Sequence, residues 1–151
     1  MKRIMFVCHG NICRSPMAEF IFKDMCSKQG LDALICSSAT STEEIYCGRG
    51  NPVYPPAREE LARHGLSCEG KRAVQLRKED YDQYDLFVAM DTYNVKNIMR
   101  IFGNDPAGKV FKIKDFSVGG DVADPWYSGD FATTYEEIYE ACLGLIKEIK
   151  C

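Results

Sequence analysis

The sequence predicts an α/β protein: a single-domain, doubly wound, four-stranded parallel sheet with helices on both faces. Three observations lead there. Short apolar runs bounded by turn residues alternate with helical patterns along the chain, the arrangement that builds right-handed crossovers. The first apolar run empties into a loop holding Gly10 and Asn11, which opens a helix. At 151 residues the chain can bury one sizeable core, and no linker, repeat or low-complexity segment divides it.

Residues 3–7 read as a buried strand. Residues 17–25 read as a helix, with Pro16 suited to its first turn, where the missing N–H costs nothing. Gln29-Gly30 ends that helix. Residues 33–37 read as a second strand, followed by a polar loop over 38–54 that contains Gly48, Gly50 and Pro52. Pro55-Pro56 opens a helix over 57–64, with Gly65 at the C′ position. Residues 68–75 are basic and irregular, and 77–82 read as a short helical or turn segment. Residues 85–90 form a third strand, and Asp91-Thr92 caps a helix over 93–102. Residues 108–113 read as a fourth strand and 115–129 as a long loop. The last helix starts at Thr133 and runs to about Lys150. Its residues Ile138, Ala141, Cys142, Leu145, Ile146 and Ile149 recur at the helical period as a core-facing stripe.

Ligands of such sheets bind at the carboxyl ends of the strands, at the topological switch point. There the first strand ends in Cys8-His9-Gly10-Asn11-Ile12-Cys13-Arg14-Ser15-Pro16. A loop at a helix N-terminus offers free N–H groups and the positive end of the dipole, so an anion suits it. That setting, with a guanidinium nearby, favours the thiolate of Cys8. Arg14 presents a planar fork that fits two oxygens of a phosphate. Gly10 and Asn11 tolerate the left-handed backbone of a tight cradle, and Ser15 can donate to the sulfur. Nucleophile, cradle and clamp describe phosphoryl transfer to cysteine.

Composition narrows the alternatives. A net charge of −3 gives no global pull toward nucleic acid or anionic membrane, and no apolar run is long enough to span a bilayer. Met1-Lys2-Arg3 is a basic start without the apolar region of a signal peptide. Of the eight cysteines, at 8, 13, 26, 36, 47, 68, 142 and 151, none forms C-x-x-C, so zinc-ligand spacing is absent. A nucleophilic Cys8 needs a reducing compartment, which places the protein in the cytoplasm and makes most of the other cysteines small core or surface residues.

Cys8 to Ser15 resembles the C-x5-R-[ST] signature of the protein tyrosine phosphatases. C-x-x-N-x-C-R-S-P at the extreme N-terminus resembles the low-molecular-weight family in particular. The resemblance implies one phosphatase domain over residues 1–151 and a phosphate-binding loop made of His9, Gly10, Asn11, Ile12, Cys13 and Ser15. It implies hydrolysis of phosphotyrosine and aryl phosphate monoesters through a cysteinyl-phosphate by a monomer without cofactor or metal, Arg14 and the loop neutralising the charge.

Cleavage also needs a proton for the leaving oxygen. Asp124-Pro125 supplies a candidate, Pro125 biasing Asp124 toward extended backbone. Asp-Pro-Trp-Tyr resembles the family's general-acid loop, with Trp126 a departure that alters the pocket wall. By resemblance Trp126, Tyr127 and Tyr46 wall the entrance. The resemblance also makes Ser37 and His64 the anchors of the Asn11 side chain, sets Glu19 beside His64, and makes Cys13 the family's second loop cysteine. Asp91 reads as a helix cap rather than an active-site group. His9 adjoins Cys8, and adjacent loop side chains point apart, so a Cys-His protease does not fit. The alternatives are an arsenate reductase on the same fold, disfavoured because residues 77–109 contain no cysteine, a phosphocysteine-carrying subunit of a sugar phosphotransferase, and a phosphate-binding module without turnover.

Overall fold

The computed structural model describes residues 1–150, and Cys151 lies outside the described residues. The elements follow in order: β1 (Lys2–Cys8), α1 (Arg14–Lys28), β2 (Ala33–Ala39), a two-stranded ribbon β3 (Ile45–Tyr46) and β4 (Arg49–Gly50), α2 (Pro55–Arg63), α3 (Asp80–Gln83), β5 (Leu86–Ala89), α4 (Thr92–Phe102), β6 (Val110–Lys112), a 3₁₀ turn (Ile113–Phe116), α5 (Pro125–Ser128) and α6 (Phe131–Lys150). Four parallel strands pair in the order β2-β1-β5-β6. The chain leaves β1 toward β2 on one side and returns to β5 on the other, so the switch point lies beside β1, where Cys8 ends the strand.

The pleat of β1 divides the core. Ile4, Phe6 and Cys8 face one way, into a cluster with Met17, Ile21 and Phe22 of α1 and Ile138, Leu145 and Ile146 of α6. Met5 and Val7 face the other way, against Phe87 and against Ile98 and Phe102 of α4. Helices therefore cover both faces, and β1 is apolar from Ile4 to Cys8, where neither side of it meets water. In the stripe of α6, Ile138, Ala141, Cys142, Leu145 and Ile146 are buried and Ile149 packs at the edge. A Cβ at Gly144 would sit 1.7 Å from the Phe116 carbonyl oxygen, so only glycine lets α6 lie against the 3₁₀ turn.

Several boundaries differ from expectation, each for a local reason. The helix after β1 begins at Arg14, three residues before the apolar run at 17, with Pro16 in its first turn as expected. The 38–54 loop contains the ribbon, turned by Cys47 and Gly48 at positive φ. Residue 113 leaves the fourth strand for the 3₁₀ turn. The last helix starts at Phe131, two residues before Thr133, because Asp130 caps it: the carboxylate accepts from Thr133 N at 3.0 Å. Among the described residues no helix is long and apolar enough to cross a membrane.

Candidate active site

The Cys8 to Arg14 loop folds back over the end of β1. Asn11 takes φ of 60°, a conformation uncommon outside glycine, and its side chain is pinned on both ends. Asn11 Oδ1 accepts from Val74 N at 3.0 Å, which fixes the amide orientation. Asn11 Nδ2 then donates to Ser15 Oγ at 2.7 Å and to Ser37 Oγ at 2.9 Å. The loop carbonyls are tied outward: Thr40 N donates to Cys8 O, Ser41 N to His9 O and Tyr54 N to Ile12 O. The amides of Gly10, Ile12 and Cys13 have no protein acceptor among the described residues, so they remain available to a ligand.

Cys8 Sγ lies 3.0 Å from Ser15 Oγ and accepts from Asn11 N at 3.3 Å. Arg14 leaves the first turn of α1 toward the same pocket. Its Nη1 donates to Asp91 Oδ2 and to Val122 O, each at 2.7 Å, and its Nη2 is 3.6 Å from Asp124 Oδ2. Burial works against the guanidinium charge, but Cys8, Asp91 and Asp124 outweigh it and hold Arg14 above its ordinary value. Burial first, and Cys8 next, push the Cys13 thiol well above the usual range. Asp124 has the extended backbone expected before proline, and its Oδ1 accepts from Trp126 N at 3.0 Å as the cap of α5.

A pocket of about 210 Å³ is lined by the loop from Cys8 to Arg14, by Asp124, Trp126 and Tyr127, and by Glu43 and Glu44. Trp126 is braced from behind by the Tyr54 ring, 4.8 Å away. Tyr46 does not line the pocket; it is 78% exposed on the ribbon. The wall from this segment is acidic instead. Glu43 Oε2 is 3.0 Å from His9 Nε2, and Glu44 packs over Gly10, whose missing Cβ would lie 3.2 Å from Glu44 Cγ.

His64 does not reach Asn11. As the C-cap of α2, it stacks on Tyr135 at 3.7 Å and its Nε2 is 3.0 Å from Glu60 Oε2. The partner of Glu19 is lysine instead. Glu19 Oε1 accepts from Ser37 Oγ at 2.5 Å, Oε2 pairs with Lys23 at 2.6 Å, and Lys71 Nζ lies 3.6 Å from Oε1. Asp91 caps α4 as read, accepting from Asn94 N at 2.7 Å, but it also holds Arg14. Its position at the carboxyl end of β5, beside β1, carries that signal. Among the described residues no group of three or more His, Cys, Asp or Glu side chains is placed to hold a metal ion.

The family described as low molecular weight phosphotyrosine protein phosphatase matches residues 3–151. The low molecular weight protein-tyrosine-phosphatase YfkJ of Bacillus subtilis is 34% identical over 153 residues, covering 99% of this chain and 97% of its own. Its crystal structure agrees with a TM-score of 0.93, covering 99% of this chain and 95% of that one. The low molecular weight protein tyrosine phosphatase SP-PTP of Streptococcus pyogenes gives 0.88 at 33% identity, covering 99% and 93%. The YwlE arginine phosphatase, from Bacillus subtilis, gives 0.85 at 30% identity, covering 98% and 95%, in a cysteine-to-serine variant with its active-site serine phosphorylated. Motif, topology and relatives agree over nearly the whole length: the chain belongs to the low molecular weight phosphotyrosine protein phosphatase family.

Proposed function

We propose that residues 1–151 form one monomeric phosphatase unit that hydrolyses phosphotyrosine and aryl phosphate monoesters through a cysteinyl-phosphate. Cys8 Sγ attacks phosphorus in line, and the bond to the phenolic oxygen breaks. Arg14 and the free loop amides hold the equatorial oxygens, where charge accumulates in the transition state. Asp124 gives its proton to the departing phenoxide. Ionised, Asp124 then takes a proton from water, which attacks the S–P bond and releases phosphate and the Cys8 thiolate. One observation carries this reading: a sulfur with two donors, a preset guanidinium and a carboxylate 3.6 Å from that guanidinium face one pocket. In a phosphocysteine carrier Arg14 and Asp124 would be idle. The seven described cysteines are unpaired, which suits a reducing cytoplasm.

A second substrate class has one observation in its favour. Glu43 and Glu44 line the pocket and suit a cation beside the phosphoryl group, as in phosphoarginine, the class implied by the name of the YwlE neighbour. Trp126 and Tyr127, which line the same pocket, suit an aryl group.

The test is turnover of p-nitrophenyl phosphate, a phosphotyrosine peptide and a phosphoarginine peptide, with thiol reductant and chelator present. Wild type should hydrolyse the first two. Cys8→Ser should fall below about a hundredth of wild type while vanadate still binds. Wild type inert on both, or a Cys8→Ser variant above that level, overturns the reading. Faster turnover of phosphoarginine than phosphotyrosine transfers the assignment to the second class.

A further inference from the structure

Behind the phosphate-binding loop runs a buried chain of hydrogen bonds ordered by the Asn11 amide. The Asn11 amide is oriented by Val74 N, so Nδ2 donates both to Ser37 Oγ and to Ser15 Oγ. Ser37 Oγ therefore accepts from Asn11, and its own hydrogen goes to Glu19 Oε1. Ser15 Oγ likewise accepts from Asn11, and its own hydrogen is left for Cys8 Sγ. A carboxylate can only accept, so Glu19 anchors this order as long as it carries its charge.

Glu19 is buried, and a buried carboxylate needs partners for its charge. Two cations face it. Lys23 is 45% exposed, so water weakens its hold. Lys71 is 11% exposed and donates to Ser37 O at 2.9 Å, with Nζ 3.6 Å from Glu19 Oε1. Burial lowers the Lys71 ammonium from its ordinary value, with Glu19 opposing. The groups around Lys71 are Glu19, Lys23 and Cys36, together with Arg58, Cys68 and Glu69 along a separate cavity of about 430 Å³. Around Cys8 they are Arg14 and Cys13, with His9, Glu43, Glu44 and Asp124 in the catalytic pocket. Lys71 lines the former cavity and is absent from the lining of the catalytic pocket, and the chain of bonds is the path that links it to the sulfur.

We infer that Lys71 is a positioning residue: its buried ammonium holds Glu19 as an acceptor and so directs the hydrogens of Ser37, Asn11 and Ser15 toward a reactive Cys8 sulfur. Without that charge Glu19 keeps only the half-exposed Lys23, and its hold on the Ser37 hydrogen weakens. The Ser37 hydroxyl then turns more freely, Asn11 loosens from its positive-φ position, and Cys8 loses the order of both its donors. The inference rests on Cys8 being the nucleophile.

The test uses Lys71→Gln, which keeps a donor and drops the charge, Lys71→Arg, which keeps the charge, and Ser37→Ala, which cuts the path. The readout is the rate of iodoacetate alkylation at Cys8 at pH 6, localised by mass spectrometry within the peptide of residues 4–14, with thermal melting of each variant. Lys71→Gln should slow alkylation about three- to tenfold and lower kcat for p-nitrophenyl phosphate more than it raises KM. Lys71→Arg should recover at least half of the loss. In the Ser37→Ala background Lys71→Gln should add less than about twofold. A folded Lys71→Gln protein that alkylates at the wild-type rate overturns the inference, and so does an undiminished effect in Ser37→Ala. If Lys71→Gln does not fold, Lys71→Arg against Ser37→Ala decides: the former must alkylate faster than the latter. Alkylation needs no turnover, so an inert wild type would remove the proposed function while this comparison still reads out.

Discussion

Arg14 Nη1 donates to Asp91 Oδ2 at 2.7 Å, in a pair whose side chains are only 4% and 18% exposed. The guanidinium is thus held from behind, with its fork turned toward the pocket before any phosphate arrives. Asp91→Asn keeps the shape but removes the charge, so Arg14 should lose orientation more than position. The expected outcome is a rise of about tenfold in KM and in the inhibition constant for phosphate, roughly 1.4 kcal/mol of binding, with a smaller change in kcat and a lower melting temperature. Steady-state kinetics with phosphate as competitor, beside a thermal melt, check it; parameters within twofold of wild type would leave Asp91 only its capping role.

Asp124 stands at the head of α5 with Oδ1 engaged by Trp126 N and Oδ2 toward Arg14. General acids contribute roughly 10²–10⁴ in rate. Asp124→Asn should therefore cost most with alkyl-like leaving groups of high pKa and least with p-nitrophenol. A series of substituted phenyl phosphates measures this. A loss of the same size across the series would reassign Asp124 to holding the loop.

Burial, with Cys8 adding to it, raises the Cys13 thiol. A raised thiol stays protonated at neutral pH, so Cys13 does not compete with Cys8 as a nucleophile there. It can still condense with an oxidised neighbour: Cys8 sulfenic acid and the Cys13 thiol give a disulfide and water. Mild peroxide should inactivate the enzyme reversibly, with a Cys8–Cys13 bridge by mass spectrometry. Cys13→Ser should recover less activity on thiol treatment. Equal recovery would leave Cys13 as packing. Cys47 is exposed, so its peptide must be read separately.

Trp126 and Tyr127 line the pocket together with Glu43 and Glu44. A phosphotyrosine ring can lie along the aromatic pair while its phosphorus reaches Cys8, whereas phosphoserine is too short to gain that contact. Aromatic contact is worth about 0.5–1.5 kcal/mol, so Trp126→Ala should raise KM for phosphotyrosine peptides roughly two- to tenfold and narrow their advantage over phosphoserine peptides. Trp126 is the only tryptophan, and its fluorescence should change when vanadate or an aryl phosphonate binds. An unaltered preference in Trp126→Ala would move specificity to the acidic pair.

The sheet and the loop after β1 were legible because they rest on local signals: apolar runs, Pro16, Gly10 and Asn11. Asp124 was legible through its proline. What escaped depends on distance in the chain. Lys71 meets Glu19 across 52 positions of sequence, and in a stretch that reads only as basic and irregular nothing separates it from Arg72. His64 enters as an anchor through the family resemblance alone, and Glu60 one turn earlier on α2 takes it instead. Tyr46 was drawn to the pocket by its aromaticity, whereas the two-residue ribbon turns it outward and brings Glu43 and Glu44 to the wall.

The backbone of Val122 ties two parts of the enzyme into one. Its amide donates to Met90 O at the end of β5, and its carbonyl accepts from Arg14 Nη1, two residues before Asp124. The segment that carries Asp124 is therefore moored to Arg14 by main-chain atoms, which any replacement at Val122 other than proline leaves in place. A shift of this stretch therefore carries Arg14 and Asp124 along together, so their spacing is kept or lost as one length while Trp126 and Tyr127 lie beyond the mooring.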